Sequence, residues 1–398
     1  PSGDVYQGDW EHDCIQGHGT MHYHDGDVYE GDWVAFRRHG RGLLLDSASG
    51  GAYEGGFLLG EQEGFGSYRA PVGVFYMGGW RKGLFDGYGI VTYPSGGFYV
   101  GHFRQGLKDG PGLYRRLDKK ECHGCWRRGV MHGQFSVFNP DSTVLFEGEH
   151  RHGLREGVGR YNSPNGSFLE GTWARNELVQ GHYSYACGEV YHGELQQFRQ
   201  HGRGVVVRTD GSVYEGDIRD NQRVGFGLYL AADGVTMYEG QWDGDRRHGQ
   251  GECAYASGIV FKGTWVNDIR QGKGVMVFDN LSSYEGDYDQ NRKSGWGISR
   301  HISGESYEGH YLNCRKHGFG VHYMSNRDVF EGYFLYNHYY GRGKLSCRDG
   351  AVYMGDWFDR ARNGHGKQTF LNGDSYLGGW IYDVPHGYGE FHVAKDNR

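Results

Sequence analysis

A short pattern recurs about every 23 residues from one end of this chain to the other. Each unit reads aromatic, any residue, Gly, any residue, aromatic, with a Gly-x-Gly near its middle. The first position falls at Tyr6, Tyr29, Tyr53, Tyr76, Tyr99, Cys122, Phe146, Leu169, Tyr191, Tyr214, Tyr238, Phe261, Tyr284, Tyr307, Phe330, Tyr353 and Tyr376, which makes 17 copies in steps of 22 to 24 residues. A period of this size specifies an array in which each unit touches only its neighbours. A length of 398 residues would otherwise suggest two or three globular domains. The repeat replaces that expectation with a single array over 1–398.

One unit is enough to set the fold. In Tyr284-Glu285-Gly286-Asp287-Tyr288, alternation along a strand puts Tyr284, Gly286 and Tyr288 on one face, and Glu285 and Asp287 on the other. The third position is Gly in all 17 copies, leaving room for rings to lie over the backbone. The fifth is aromatic in 14, the exceptions being His150, Leu195 and Ile218. A second strand is expected from the central Gly-x-Gly, as in Gly272 to Phe278, after a polar loop Asn267–Gln271. Turns between units are expected at Asp25-Gly26, Asn165-Gly166, Asp210-Gly211, Asp233-Gly234, Asp349-Gly350 and Asn372-Gly373. The predicted fold is all-β: an elongated, twisted, single-layer antiparallel meander of hairpins, roughly 160 Å long at ~4.8 Å per strand. Its aromatic ladder includes Trp33, Trp80, Trp242, Trp265, Tyr288, Tyr311, Trp357 and Trp380. Those rings either pack on one another or line a groove for a partner.

The unit resembles the MORN repeat family (membrane occupation and recognition nexus). Tyr29-Glu30-Gly31-Asp32-Trp33 with His39-Gly40-Arg41-Gly42 matches its pattern closely, as does Tyr238-Glu239-Gly240-Gln241-Trp242 with His248-Gly249-Gln250-Gly251. The resemblance covers essentially the whole chain and implies a twisted hairpin array. Chains built almost wholly of such repeats resemble cytoskeletal members of the family, among them ciliary radial-spoke head components and the basal-complex or collar proteins of protists. Junctophilin-like membrane-apposed proteins and the regulatory arrays of lipid kinases are the other implied class.

Composition narrows the classes further. Gly at 73 residues is far above the usual ~7%, but the regular spacing and 16% aromatics argue against disorder. No apolar run approaches the ~20 residues of a membrane helix, and no signal peptide is visible. Pro1 is already in phase with the repeat, so the chain reads as a fragment of a longer one. Seven scattered cysteines do not make a disulfide framework and point to reduced thiols in the cytoplasm.

The motifs that could carry chemistry read as structure. His39, His132, His201, His248, His317 and His386 share the place before the central Gly, which marks a turn or packing element. Cys122-His123-Gly124-Cys125 is a lone CxxC without the second pair a zinc site needs. Gly-x-Gly occurs in 15 of 17 copies with no following helix, unlike a phosphate loop. The acidic second position (Glu30, Glu54, Glu147, Glu170, Glu215, Glu239, Glu285, Glu308, Glu331) reads as an outer row solvated and paired with Arg and Lys. No catalytic residue, metal site or cofactor is assigned.

Two departures from periodicity stand out. Units across 122–195 are degenerate: Cys122 and Leu169 replace the first aromatic, and Phe135 and Tyr183 replace the second Gly, which predicts a bend or looser packing there. Residues 104–128 carry a net +5 in a chain of −7, with Arg115, Arg116, Lys119, Lys120, Arg127 and Arg128 as a candidate anion or lipid patch. The overall charge and pI ≈ 6.3 disfavour nucleic acid. The sequence therefore predicts a non-catalytic scaffold of a cytoskeletal or ciliary assembly, holding extended or helical segments of partner proteins. A membrane-apposed, phospholipid-binding module is the alternative. Open terminal strands, with repeat one starting at Tyr6 and only the polar tail 395–398 after the last, predict self-association.

Overall fold

A computed structural model describes residues 3–394; the 395–398 tail lies outside the described residues. All regular structure among them is β-strand. The chain forms two units, residues 1–199 and 200–398. Each is a single-layer antiparallel meander. In the first, 17 strands run from Val5–Glu11 to Val190–Gln196, each paired with the next. In the second, 17 more run from Arg199–Val207 to Val384–His392 in the same way.

The turns differ from the expected ones. Within a repeat the connection shrinks to two residues, both with positive φ: Asn267 at 50° and Asp268 at 69°. The next strand then starts at Ile269, not at Gly272. This is the turn whose twist matches that of the flanking strands. Its second residue is Asn, Asp or Gly in most copies, with Phe36, Phe198, Cys314 and Arg360 as departures. The Asp-Gly pairs sit in longer loops between repeats. There Gly26 N–H donates to Tyr23 O (3.0 Å) and Tyr23 N–H to Asp27 O (2.9 Å), with Gly26 at φ 93°.

A β-bulge explains why Gly-x-Gly needs both glycines. Gly31 pairs with Gly42 and Trp33 with Arg38, so His39, Gly40 and Arg41 bulge opposite Asp32. Gly40 takes φ 56° in the bulge, a left-handed conformation that favours glycine. Asp32 closes it, accepting from Arg41 N–H at 2.9 Å. The second glycine has a different cause. Gly286 faces Gly297 across the hairpin with the Tyr284 ring over both, so a Cβ on Gly286 would lie 2.5 Å from Gly297 Cα and 2.7 Å from the Tyr284 hydroxyl.

The rings form the core. All eight ladder residues read from the sequence are only 1–6% exposed, so they pack and are not a groove lining. Tyr284 sits 5.3 Å from Tyr288 and 5.1 Å from Tyr311 of the next repeat, both edge-on. Edge-to-face contact adds about 0.5–1.5 kcal/mol per pair beyond burial. The first-position Tyr hydroxyl donates to the carbonyl three residues on, which the bulge frees (Tyr284 to Asp287 O, 3.0 Å). The Trp indole reaches back to the previous repeat (Trp265 Nε1 to Gly251 O, 3.3 Å). Trp10 in the first hairpin is an exception at 58% exposed.

The degenerate segment keeps its packing by compensation. Cys122 is small, and Phe135, opposite Gly124, fills the volume the missing ring would take; both are buried. In the shortened repeat it is Gly181, not Tyr183, that faces Gly171. The deleted residue is therefore the bulge glycine, and Tyr183 keeps an ordinary strand place. His150 replaces the fifth-position ring and is buried between Phe135 and Phe146, at 5.2 Å from each. Burial pushes its pKa from 6.5 down to about 4. The unfolded chain then binds the extra proton between those values, so stability rises with pH across about 4 to 6.5 and is lost on acidification. His150→Phe is expected to remove that component, on the order of 3 kcal/mol at most. Urea midpoints at pH 5 and pH 7 check this.

Candidate functional site: two faces and two edges of a ribbon

A column of cations that the sequence reading did not single out covers the ring face. It lies two residues before the bulge glycine and holds Arg38, Lys108, Arg155, Arg223, Arg247, Arg270, Lys293, Lys316 and Arg362. Arg223 lies 4.2 Å from the Trp242 ring centroid and Arg247 4.3 Å from that of Trp265. Where the column is aromatic, a ring takes the cation's place: Tyr339 stacks on Phe330 at 3.8 Å. The signal was nine basic residues in one repeat position.

The turn of the next repeat staples several of these cations. Asp245 Oδ1 accepts from Arg223 N–H and Nε–H, both at 3.0 Å, while Arg223 Nη2 donates to Asp245 O at 2.8 Å. Asp268 and Asp383 do the same for Arg247 and Arg362. Asp245 is partly solvated, so Asp245→Ala is expected to cost about 1 kcal/mol. Faster amide exchange confined to 222–230 and 237–245 would accompany it.

The opposite face is open. Six exposed rings share one repeat position there, the middle of Gly-x-Gly: Phe65, Tyr88, Phe226, Trp296, Phe319 and Tyr388, 40–83% exposed. Trp296 meets His310 at 5.3 Å and Phe319 meets Tyr333 at 5.6 Å. In the first unit this face carries a shallow trough of about 620 Å³ along Leu43, Phe65 and Met77. The acidic second-position row lies here too. Glu170 pairs with Arg160 at 3.4 Å, whereas Glu285, Glu308 and Glu331 have no ion pair among the described residues, unlike the pairing expected for the row.

The basic run separates in space. Arg115, at the end of the strand Leu107–Arg115, lies with Arg116, Lys119 and Lys120 at the loop edge. Arg127 and Arg128 are at the other end of Glu121–Arg127, by the two-residue turn. A seven-residue strand at ~3.3 Å per residue keeps the two groups roughly 20 Å apart. The turn edge instead aligns Arg127 with Arg81, Arg104 and Arg151, the residue after the fifth position in four successive repeats.

The remaining motifs are structural. The histidines before the central Gly enter the bulge, where His39, His248 and His317 bury Nδ1 without a partner. Cys122 is buried and Cys125 exposed, so the CxxC pair points apart. Among the described residues no three His, Cys, Asp or Glu side chains converge on a metal position. No helix among them is long and apolar enough to cross a membrane.

Among solved structures the chain is similar to the TCP10 domain of Danio rerio CPAP in complex with a peptide of Danio rerio STIL. Identity is 14% over 61% of this chain and 97% of that one, with a TM-score of 0.29. It is also similar to the TCP10c domain of Drosophila melanogaster Sas-4, at 13% identity over 48% and 99%, TM-score 0.20. These scores fall short of a common fold. No curated protein matches the sequence. The MORN repeat model matches residues 6–28, 29–47, 53–74, 76–98, 99–117, 122–134, 146–168, 214–236, 238–260, 261–283, 307–329, 353–375 and 376–397. It leaves out the hairpins that begin at Leu169, Tyr191, Tyr284 and Phe330. With 13 matched repeats covering well over half its length and the ring-over-glycine geometry in place, the chain belongs to the MORN repeat family.

Proposed function

We propose that the chain is a non-catalytic scaffold that holds segments of partner proteins against its open sheet face, as one array over 1–398. One observation carries the reading. The fifth-position rings are consumed by packing, while a second set of rings, at one fixed position in six of the 17 repeats, stands exposed on the other face. A row of solvent-facing rings beside unpaired carboxylates suits an extended segment bearing apolar and basic side chains. The absence of repeat-breaking inserts suits a spacer in a cytoskeletal or ciliary assembly, such as a radial spoke, axoneme or basal body, in the cytoplasm. Self-association through a terminal strand fits the same setting.

The test is affinity capture from extract by the full chain and by a Trp296→Glu/Phe319→Glu double variant of unchanged melting temperature. Partners lost with the variant support the reading. An unchanged partner set contradicts it. The aligned Arg81, Arg104, Arg127 and Arg151 favour a second reading, apposition of that edge to anionic phospholipid. Co-sedimentation with phosphatidylserine vesicles, lost on Arg104→Glu/Arg127→Glu, would support the second reading over the first.

A further inference from the structure

The ring face is apolar along most of its length and turns polar in two adjacent repeats of the second unit, apart from the single buried glutamines Gln200 and Gln368. Two residues after the second Gly, other repeats bury Val91, Val206, Cys253 or Met276. Here the column reads Ser299 and then His322. The lost volume accompanies an open cavity of about 300 Å³ whose lining includes Phe278, Ser282, Lys293, Ser299, Glu305 and Lys316. That is the lower end of the size range of small-molecule sites.

A second departure coincides with the first. The column cation of this hairpin is Lys293, and the turn residue that would staple it is Cys314, where the turns that hold Arg223, Arg247, Arg270 and Arg362 have Asp or Asn. Cys314 Sγ accepts only the Lys293 backbone N–H, at 3.3 Å. The Lys293 ammonium therefore has no carboxylate. It sits over Tyr284 at 4.5 Å and Phe278 at 5.3 Å, facing the cavity. Lys316 shares Glu305 at 3.4 Å with His322, whose Nε2 lies 2.6 Å from the same carboxylate oxygen. Tyr311 donates to Ser299 Oγ at 2.8 Å, fixing that hydroxyl toward the site. Burial pushes both lysines below the usual lysine range, so each ammonium gains from an added anion.

We infer that this cavity is a binding site for a phosphate monoester dianion. Two cations, Lys293 and Lys316, face one carboxylate, Glu305, which leaves a net positive charge on the lysine side chains. A phosphate monoester carries about −1.5 to −2 near neutral pH and offers three strong acceptor oxygens. Ammonium groups and serine hydroxyls are the donors such oxygens take.

Calorimetry on the full chain tests this with inorganic phosphate and O-phosphoserine as probes and acetate as control. The expected result is saturable binding of both phosphates and at least tenfold weaker binding of acetate. Lys293→Met keeps the stem over Tyr284 and should weaken phosphate tenfold or more. Ser299→Met installs the residue the preceding repeat carries at Met276; it should fill the cavity and abolish binding without lowering the melting temperature. Sedimentation with phosphatidic acid vesicles, which offer the same monoester from a membrane, distinguishes a lipid source from a soluble one, and dependence on Lys293 in either supports the site. No saturable binding of any phosphate probe, or binding indifferent to both substitutions, overturns the proposal. The open-face ring variants should bind phosphate normally, which separates a failure here from a failure of the scaffold reading.

Discussion

Trp265→Ala is expected to cost about 3–5 kcal/mol, the range for deleting a buried aromatic. Trp265 is 1% exposed. It packs edge-on to Phe261 at 5.2 Å and to Tyr238 of the previous repeat at 5.7 Å, and it carries the Arg247 guanidinium. The loss should be local, because each hairpin pairs only with its neighbours. Hydrogen exchange should rise over about 237–277 and stay unchanged near residue 353. A uniform rise along the second unit would mean that it unfolds as one cooperative body instead.

The second large effect belongs to the paired glycines. Gly297→Val places a branched side chain where the Tyr284 ring now lies, 2.6 Å from two of its atoms. Either the ring leaves the core or the hairpin opens, and both lose Tyr284's contacts with Tyr288 and Tyr311. The expected cost exceeds the 1–3 kcal/mol typical of core overpacking, because backbone and ring cannot both give way. Tyr284→Phe, which removes only the bond to Asp287 O, should cost about 1 kcal/mol. Comparing the two by denaturant midpoint isolates the steric term. Similar losses in both would show that the ring is not seated on Gly297.

Much of this was legible because periodicity and alternation act on every repeat alike. Strand faces and hairpin count follow from Tyr-x-Gly-x-Trp, whereas alternation puts the rings on one face without deciding between packing and an open groove. The two glycines of Gly-x-Gly look identical in sequence, yet one answers a positive φ at Gly40 and the other a ring over Gly42. Only the register separates those causes. Proximity in sequence misled at Arg115 to Arg128, because a strand carries its two ends to opposite edges. At 122–195 the eye saw decay where Phe135 and Cys122 exchange volume. The polar cavity was missed because Ser299 and Cys314 each pass for drift. Reading down the columns two residues before the first Gly and two after the second would have shown the cations and the missing partner together.

The division of labour between the two faces is most directly measured by hydroxyl-radical footprinting of the tryptophans, read residue by residue by mass spectrometry. Trp10 and Trp296, at 58% and 40% exposed, should oxidise readily. Trp33, Trp80, Trp242, Trp265, Trp357 and Trp380, none above 6%, should be protected by at least an order of magnitude until the chain is unfolded. Ladder tryptophans that label as fast as Trp296 in the folded protein would contradict the account and return the ring face to the role of an open groove.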